Sequence, residues 1–421
     1  MSKAYDVPPR DIEVLRRLGA RKVEIARHPA NLARKRLWYQ LDEGVPGRPL
    51  VLAEAHAIRD PHPPLPQSDL ECENEWAREL ETELRREIYQ FDVLQDDHVV
   101  EPLMPVTWQT QASDYGVSVV KHSGDRDGQM GAFRWDPPLQ DLSRDFAKLR
   151  PRTFSVDRAA SLERKARLEQ VFRGIIPVAF RHGYWWTMGM TQVVAGLLGL
   201  DKLMLCMMDN PDGFHRLMAF LRDDHLAYAR WLEKEGLLNL NNLNDYTGSG
   251  TIGYSRALPQ PDWKEGQPVR MKDGWVLLES QETVGVGPRQ FEEFIFPYQE
   301  AIAREFGRVY YGCCEPLNHR WHVVKRFSNL ARVSVSPWAD QKLMAQELGT
   351  KYVFSRKPSP TLISTEKFDE DAIRADLRYT LAVTQGLRVE IIMKDVHTLH
   401  NQPGRLPRWV RLARETIEEV A

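Results

Sequence analysis

Two adjacent cysteines have side chains that could take part in chemistry. Cys313 and Cys314 follow a strand-like run in the segment RVYYGCCEPLN. A buried cysteine often serves only as a small apolar side chain, but a second soft ligand, His397, follows another apolar run in IIMKDVHTLH. Thiolate and imidazole are ligands that zinc prefers, and a carboxylate is a common third. We therefore predict a zinc site formed by Cys313, His397 and Glu282.

The sequence leaves alternatives for the third zinc ligand and for the role of the second cysteine. Glu282 ends the run WVLLESQE, in which Glu279 is a competing carboxylate. Adjacent residues on a strand point to opposite faces. We therefore expect only Cys313 to enter the site and Cys314 to be dispensable.

Other charged residues also follow apolar runs. Asp245 and Asp395 are, with Glu282, candidate catalytic acids or bases. Arg356 and Lys357 in SRKPSP could hold an anionic part of a substrate or cofactor, although a solvated basic loop would have the same composition.

The segment RHGYWWTMGM contains two adjacent indoles, Trp185 and Trp186. Adjacent residues cannot both face one side of a strand or helix, so a loop that lines an apolar pocket explains them better than core packing. With Tyr246 and Tyr254 they would form a pocket suited to an aromatic methyl ether. The nearby GSGTIG matches a dinucleotide-binding fingerprint only formally, because prolines 259 and 261 prevent the helix that must follow. We interpret it as a flexible loop over the pocket mouth.

The elements that must position these residues alternate between strands and helices. Amphipathic helical patterns separate eight apolar runs, which is typical of parallel βαβ units and of a (β/α)8 TIM barrel, although a doubly wound sheet would give a similar pattern. In a barrel the chemistry lies at the carboxyl ends of the strands. The eight predicted strands are Leu103–Trp108, Gly174–Phe180, Leu238–Asn244, Trp275–Glu282, Arg308–Cys314, Ala331–Val335, Lys351–Ser355 and Val389–Met393.

The first hundred residues have a different pattern. Helical stretches over Pro9–Glu24, Pro29–Leu41 and Glu73–Glu87 surround one apolar segment, Pro49–Ala55. We predict a mostly helical N-terminal extension over residues 1–100 and the barrel over residues 101–421.

Composition excludes several classes of protein. The 421 residues include 57 Lys+Arg and 59 Asp+Glu, for a net charge of −2, so binding to nucleic acid or to a membrane surface through net charge is not expected. The first residues, MSKAYDVPPRD, lack the apolar core of a secretory signal. Four cysteines are too few for a disulfide framework. These features predict a reduced, cytoplasmic enzyme.

Several segments together resemble one known superfamily. PRQFEEFIFPYQEAI, GCCEPL, VSVSPWAD, KYVFSRKPSP and IIMKDVHT are similar to segments of the uroporphyrinogen decarboxylase-like superfamily, over roughly residues 100–421. The resemblance implies a (β/α)8 barrel. The cobamide methyltransferases of that superfamily have a His-x-Cys pair and a later cysteine as zinc ligands. Cys313 matches one of these positions, Tyr311 replaces the histidine and His397 stands near the place of the later cysteine. The arginine-rich motif of the true decarboxylases is absent from this sequence.

The resemblance implies a zinc-dependent methyltransferase that moves a methyl group between a small substrate and a corrinoid (cobalamin) cofactor. Because we recognise no corrinoid-binding domain in the chain, a corrinoid protein is the expected partner. An alternative is a metal-independent decarboxylase of a carboxylated aromatic or tetrapyrrole, in which Arg356 and Lys357 would hold carboxylates and Asp245 would stabilise a protonated ring. A third interpretation is a barrel that binds a small molecule without catalysis.

Overall fold

The computed structural model describes residues 5–123, 133–181 and 183–420. Fourteen strands lie in these ranges. In chain order they are β1 (Leu50–Ala53), β2 (Met104–Val106), β3 (Gln109–Ala112), β4 (Val120–Ser123), β5 (Phe133–Asp136), β6 (Phe154–Asp157), β7 (Val178–Phe180), β8 (Tyr246–Gly248), β9 (Thr251–Ile252), β10 (Trp275–Leu278), β11 (Arg308–Tyr311), β12 (Leu330–Val335), β13 (Val353–Arg356) and β14 (Val389–Met393).

The same ranges contain fifteen α-helices. They are α1 (Pro9–Arg27), α2 (Pro29–Glu43), α3 (Glu75–Tyr89), α4 (Leu142–Asp145), α5 (Arg158–Val171), α6 (Thr191–Leu198), α7 (Leu200–Asp209), α8 (Pro211–Lys234), α9 (Pro288–Phe294), α10 (Phe296–Ala303), α11 (Trp321–Val324), α12 (Gln341–Leu348), α13 (Thr361–Ser364), α14 (Glu370–Val383) and α15 (Arg405–Val420). None of these helices is by itself long and apolar enough to cross a membrane, and only α6 and α7, bent by 95°, reach that length and composition as a pair.

A six-stranded parallel sheet in the order β1-β14-β13-β12-β11-β10 forms the centre of the protein. Nearly all residues of these strands are buried, as expected for a parallel sheet covered on both faces. The predicted α/β class is therefore confirmed. Strands β2 and β7 pair in a separate parallel ladder, and among the described residues no ladder joins the two edges of the central sheet.

One predicted strand is absent, because Leu238–Asn244 is irregular in the structure. Its asparagine side chains bind backbone groups of neighbouring segments instead. The Asn241 side chain accepts a hydrogen bond from the Trp275 amide (2.8 Å) and donates one to the Trp275 carbonyl (3.1 Å). Such side-chain bonds compete with a strand ladder, which explains why the prediction from the apolar pattern was wrong here.

The N-terminal hundred residues contribute to the central sheet. The three predicted helices are present as α1, α2 and α3, and α3 begins after Asn74, whose side chain accepts a hydrogen bond from the Ala77 amide. The apolar segment between them forms β1, which pairs in parallel with β14 along its whole length. The boundary at residue 100 stays a prediction, but residues before it supply an edge strand of the sheet.

The glycine-rich segment forms a buried hairpin rather than a flexible loop over the mouth. Strands β8 and β9 pair antiparallel, and Thr247 to Ser255 are all buried. Gly248 is required by a close approach, since a Cβ there would lie 2.4 Å from the ring of Tyr310 on β11. Gly250 has φ +88°, a conformation that favours glycine. The hairpin therefore packs directly on the sheet.

A buried arginine connects the hairpin to the sheet. The Arg332 side chain on β12 is inaccessible to solvent and donates hydrogen bonds to Thr251 Oγ1 (2.9 Å) and the Ile252 carbonyl (2.7 Å). Its guanidinium also lies 3.6 Å from Glu390 Oε2 on β14 and 3.5 Å from Asp42 Oδ1 on α2. One cation thus joins two strands, the hairpin and an N-terminal helix.

Replacing this cation should strongly destabilise the protein. In Arg332→Met the carboxylates of Glu390 and Asp42 stay buried without it, so we expect a loss of about 3–5 kcal/mol in the free energy of unfolding, measured by urea denaturation. The control is Arg326→Met, which removes a half-exposed ion pair with Glu292 and should cost at most about 1 kcal/mol. Equal losses in the two variants would contradict this role of Arg332.

Candidate functional site

A cavity of about 540 Å³ lies at the carboxyl ends of the central strands. Residues that follow β1, β10, β11 and β14 line it, together with two aromatic side chains. We call it the thiol cavity, and it is lined by Glu54, His56, Trp186, Tyr246, Gln281, Cys313, Cys314, Lys394 and Asp395. The place where the sequence predicted chemistry is therefore a real concavity that contains both cysteines.

Both thiols lie in this cavity, contrary to our expectation that only Cys313 would enter it. Strand β11 ends at Tyr311, and Gly312 has φ +95°, so the alternation of a strand does not continue into the cysteines. The two sulfurs are 3.6 Å apart. Cys313 is buried and Cys314 is exposed at the mouth, which makes Cys314 the more accessible thiol.

Lys394, which immediately follows β14, places a positive charge beside the thiols. Its Nζ lies 3.7 Å from Cys313 Sγ, 3.4 Å from Ser249 Oγ of the hairpin and 3.2 Å from Asp395 Oδ2. Burial opposes this charge, but the neighbouring Cys313 and Asp395 outweigh it and raise the pKa of Lys394 above its usual value. Lys394 therefore carries a charged ammonium group at the floor of the cavity.

The two thiols have different acidities. The hydrogen bond between the sulfurs, together with burial, raises the pKa of Cys313. The same hydrogen bond lowers the pKa of Cys314, and the charge of Lys394 lowers it further. The first thiolate of the pair therefore forms on Cys314. A thiolate is the nucleophilic form of cysteine.

The predicted zinc ligands are not brought together, which corrects the proposed set of Cys313, His397 and Glu282. His397 is exposed, and its Nδ1 lies 3.4 Å from the Ala57 carbonyl. Glu282 accepts a hydrogen bond from Thr191 Oγ1 at 2.7 Å. Within residues 5–123, 133–181 and 183–420, no three His, Cys, Asp or Glu side chains are grouped so that they could hold a metal ion. The residues present do not fit the predicted zinc centre.

Two carboxyl groups are buried close to the thiols. Glu315 accepts hydrogen bonds from the backbone amides of Ser280 (2.8 Å) and Cys313 (2.9 Å). Glu279, which competed with Glu282 in the prediction, follows β10 and is buried, and its Oε1 has no hydrogen-bond partner among the described residues. Burial, then the nearby Glu315, raises the pKa of Glu279 well above its usual range. Its carboxyl therefore favours the protonated form more than an ordinary glutamate does.

Arg356 and Lys357 do not line the thiol cavity, contrary to the prediction that they bind substrate. Arg356 is buried and lies 3.1 Å from Asp376 on α14. Lys357 Nζ is 3.0 Å from the hydroxyl of Tyr310 and also binds Ser355, and burial lowers its pKa to about 7. Both cations are held inside the fold by protein groups.

The other predicted residues divide between the core and the cavities. Tyr254 is inaccessible to solvent and its hydroxyl donates to Glu101, so it is a core residue rather than a pocket residue. Asp245 forms a two-point ion pair with Arg181 and does not line the thiol cavity. Asp395, with φ +58°, lines the thiol cavity.

Three of the four predicted aromatic residues line a second cavity of about 670 Å³, which we call the wall cavity. It lies between the loop after β7 and the free edge of β10. Trp185, Trp186 and Tyr246 line it, and Trp186 and Tyr246 also line the thiol cavity. The indole N–H of Trp186 donates a hydrogen bond to the Tyr246 hydroxyl at 3.1 Å. These two side chains therefore separate the cavities.

Our sequence reasoning missed Lys394, Glu54 and Ser249. Glu54 follows β1, and its position in the cavity depends on the pairing of β1 with β14, which we did not predict. The sequence could have indicated Lys394, because the alternation of side chains along β14 places residues 390, 392 and 394 on one face of the sheet. Ser249 reaches the site only because the hairpin folds onto the sheet.

Thiol reactivity tests the electrostatics of the site. We expect iodoacetamide to modify Cys314 first, while Cys72, whose pKa burial raises to about 12, stays unmodified in the folded protein. In Lys394→Met the loss of the cation should raise the pKa of Cys314, slow its alkylation at pH 7 several-fold and shift the rate profile to higher pH. Mass spectrometry of the modified peptides over a pH series measures this. Lys325→Met, at a half-exposed lysine paired with Glu347, should leave the profile unchanged.

The buried carboxyl of Glu279 should make stability depend on pH. Its folded-state pKa is raised, so stability is lost as pH rises from the usual glutamate pKa of about 4.3 toward the folded value. Glu279→Gln is neutral at every pH, and relative to the natural chain its stability should increase by up to about 1.4 kcal/mol per pH unit in that interval. Urea denaturation at several pH values measures this. The exposed control Glu265→Gln should show no such trend, and a constant difference for Glu279→Gln would contradict the assignment.

Similarity to known proteins is found in structure and not in sequence. No protein-family model matches the chain, and no curated protein sequence is significantly similar to it. Among solved structures, a methyltransferase from Methanosarcina mazei matches with a TM-score of 0.49 and 12% sequence identity, over 91% of this chain and 98% of the other.

Proposed function

We propose that this chain is a methyltransferase that takes a methyl group from a small aromatic methyl ether and passes it to a corrinoid cofactor carried by a partner protein. The observation that carries the proposal is the charged Lys394 in a cavity that also contains two thiols and two aromatic side chains. The resemblance of residues 100–421 to the cobamide methyltransferases supports the reaction class, and closure of the sheet into a (β/α)8 barrel belongs to the same proposal.

Lys394 has the charge that ether demethylation needs. When the methyl–oxygen bond breaks, its electron pair stays on the oxygen as a phenolate, which then takes up a proton. A fixed ammonium group near that oxygen stabilises the developing negative charge. When bound, the reduced corrinoid supplies the electron pair for the new bond to the methyl carbon.

Tyr246 can orient the same oxygen. Burial raises the pKa of its phenol to about 12, so the hydroxyl keeps its proton at neutral pH. It accepts a hydrogen bond from Trp186, and a hydroxyl that accepts one bond can still donate its own proton. The ether oxygen would therefore lie between a hydroxyl donor and an ammonium group.

A partner can reach this cavity from outside. Cys314 and Asp395, both in its lining, are exposed, so the mouth opens at the carboxyl end of the sheet. A corrinoid presented by a separate protein would meet the substrate there.

The decarboxylase alternative has less support. It required Arg356 and Lys357 to hold substrate carboxylates, yet both are buried and bound to protein groups. Asp245, the residue expected to stabilise a protonated ring, forms an ion pair with Arg181.

An anaerobic assay with an aryl methyl ether and cob(I)alamin tests the proposal. We expect equal amounts of the phenol and methylcobalamin, measured by chromatography and absorbance. Lys394→Met should lower kcat/KM by about 10²–10³-fold, because it removes charge stabilisation in the transition state, and Lys325→Met should not. No methyl transfer to or from cobalamin, together with CO₂ release from an aromatic carboxylate, would overturn the proposal in favour of the decarboxylase.

A further inference from the structure

The wall cavity is lined by charges that already have counterions. Every charged residue in its lining has an oppositely charged group within the wall or behind it. The pairs are Glu83 with Arg86 (3.1 Å), Glu87 with Lys22 (2.7 Å), Arg181 with Asp245, and Arg270 with Asp273 (2.7 Å). A charged ligand would lose its hydration without gaining a free partner, so the cavity favours an uncharged one.

Aromatic rings form the apolar part of the wall cavity. Trp275 and Phe306 are buried, and Trp185 packs edge-on against Phe306 with ring centroids 5.7 Å apart. Trp186 is 38% exposed, so part of its indole is free to contact a ligand. A flat ring bound among these side chains gains offset or edge-to-face contacts as well as burial.

One buried hydroxyl in the lining lacks a partner. Thr247 on β8 is only 4% exposed, it lines the wall cavity, and its Oγ1 makes no hydrogen bond among the described residues. Leaving a buried polar atom unsatisfied is costly. If the Thr247 side chain rotates so that Oγ1 faces the cavity, a ligand hydroxyl or ether oxygen removes that cost.

We infer that the wall cavity is a binding site for an uncharged aromatic ring with a hydrogen-bonding oxygen, held against Trp186 and hydrogen-bonded to Thr247. Its volume of about 670 Å³ lies within the roughly 300–1,000 Å³ of small-molecule sites. The two cavities meet at Trp186 and Tyr246. A ring in the wall cavity therefore directs a substituent toward the thiols and Lys394.

The inference that this site binds a neutral ring is drawn from the lining of the wall cavity alone. The further step, that the bound ring is the substrate, rests on the proposed methyl transfer. In that case the substrate class is a neutral methoxyarene, such as a methoxyphenol, rather than a methoxybenzoate.

Isothermal titration calorimetry at pH 7 with three probes of similar size tests the inference. The probes are 2-methoxyphenol, which is neutral, 4-methoxybenzoate, an anion, and 4-methoxybenzylammonium, a cation. We expect the neutral probe to bind at least about tenfold more tightly than either ion, because neither ion finds a free counterion. Equal affinities, or tighter binding of an ion, would overturn the inference.

Two variants locate the bound probe. Thr247→Val keeps the shape of the side chain and removes the hydroxyl, so Kd for 2-methoxyphenol should rise about fivefold. Trp186→Ala removes the exposed indole and should raise Kd about tenfold. Trp338→Ala is the matched control, since that indole is 75% exposed and lines neither cavity. Unfolding curves verify that each variant is folded. If Trp186→Ala does not fold, the isosteric Thr247→Val alone tests the location of the bound probe.

An unchanged Kd in Thr247→Val, or an equal loss in Trp338→Ala, would contradict the assigned site. The titration needs no corrinoid and no turnover, so its outcome separates the two proposals. Neutral-selective binding that depends on Thr247, without methyl transfer, would leave this site in place and refute the proposed function. Methyl transfer that is insensitive to Thr247→Val and Trp186→Ala would support the proposed function and refute the use of the wall cavity as its substrate site.

Discussion

The buried guanidinium of Arg332 is the interaction on which the rest of the structure depends. It lies within 3.6 Å of carboxylates on β14 and α2 and donates hydrogen bonds to the β8–β9 hairpin. A buried cation is tolerable only with such partners, so the sheet, the hairpin and the N-terminal segment have to fold around it together. This requirement explains why residues from the first hundred positions form part of the centre of the molecule.

The face of the sheet against which Arg332 holds the hairpin carries polar side chains from the middle of the strands to their carboxyl ends. Glu390, Ser355, Tyr310 and Lys357 form a connected set of hydrogen bonds there. At the carboxyl ends the set gives way to Lys394 and the two thiols. Burial, hydrogen bonds and neighbouring charges together shift the pKa of each ionisable group in this region. The hydrogen bond with Cys313 lowers the pKa of Cys314, whereas burial and the nearby Glu315 raise that of Glu279.

The absence of a regular strand over Leu238–Asn244 has a consequence for binding. Among the described residues no strand pairs with the outer edge of β10. The Asn241 side chain bonds the Trp275 backbone there and the Met188 amide donates to the Leu277 carbonyl, and the wall cavity opens at that edge. Trp186 and Tyr246, joined by one hydrogen bond, form the boundary that it shares with the thiol cavity. The cavity that would hold a ring and the cavity that would act on its substituent are thus distinct in composition: one is aromatic and charge-balanced, and the other carries a cation and sulfur.

The sequence by itself determined the α/β class, seven of the eight predicted strands at least in part, the N-terminal helices, and the presence of Cys313 and Asp395 at strand ends facing one cavity. These features follow from local patterns, since apolar runs, helix caps and strand-end positions depend on neighbouring residues. The sequence could not determine that β1 pairs with β14, that His397 and Glu282 bind other partners than Cys313, or that Arg356 and Lys357 are held inside the fold. Only the tertiary structure decided these, because they depend on distances between segments as far apart as Leu50 and Val389, and on which buried charge satisfies which partner. A residue type at a strand end indicates that chemistry is possible there, but the packing of distant segments decides whether its side chain reaches the cavity.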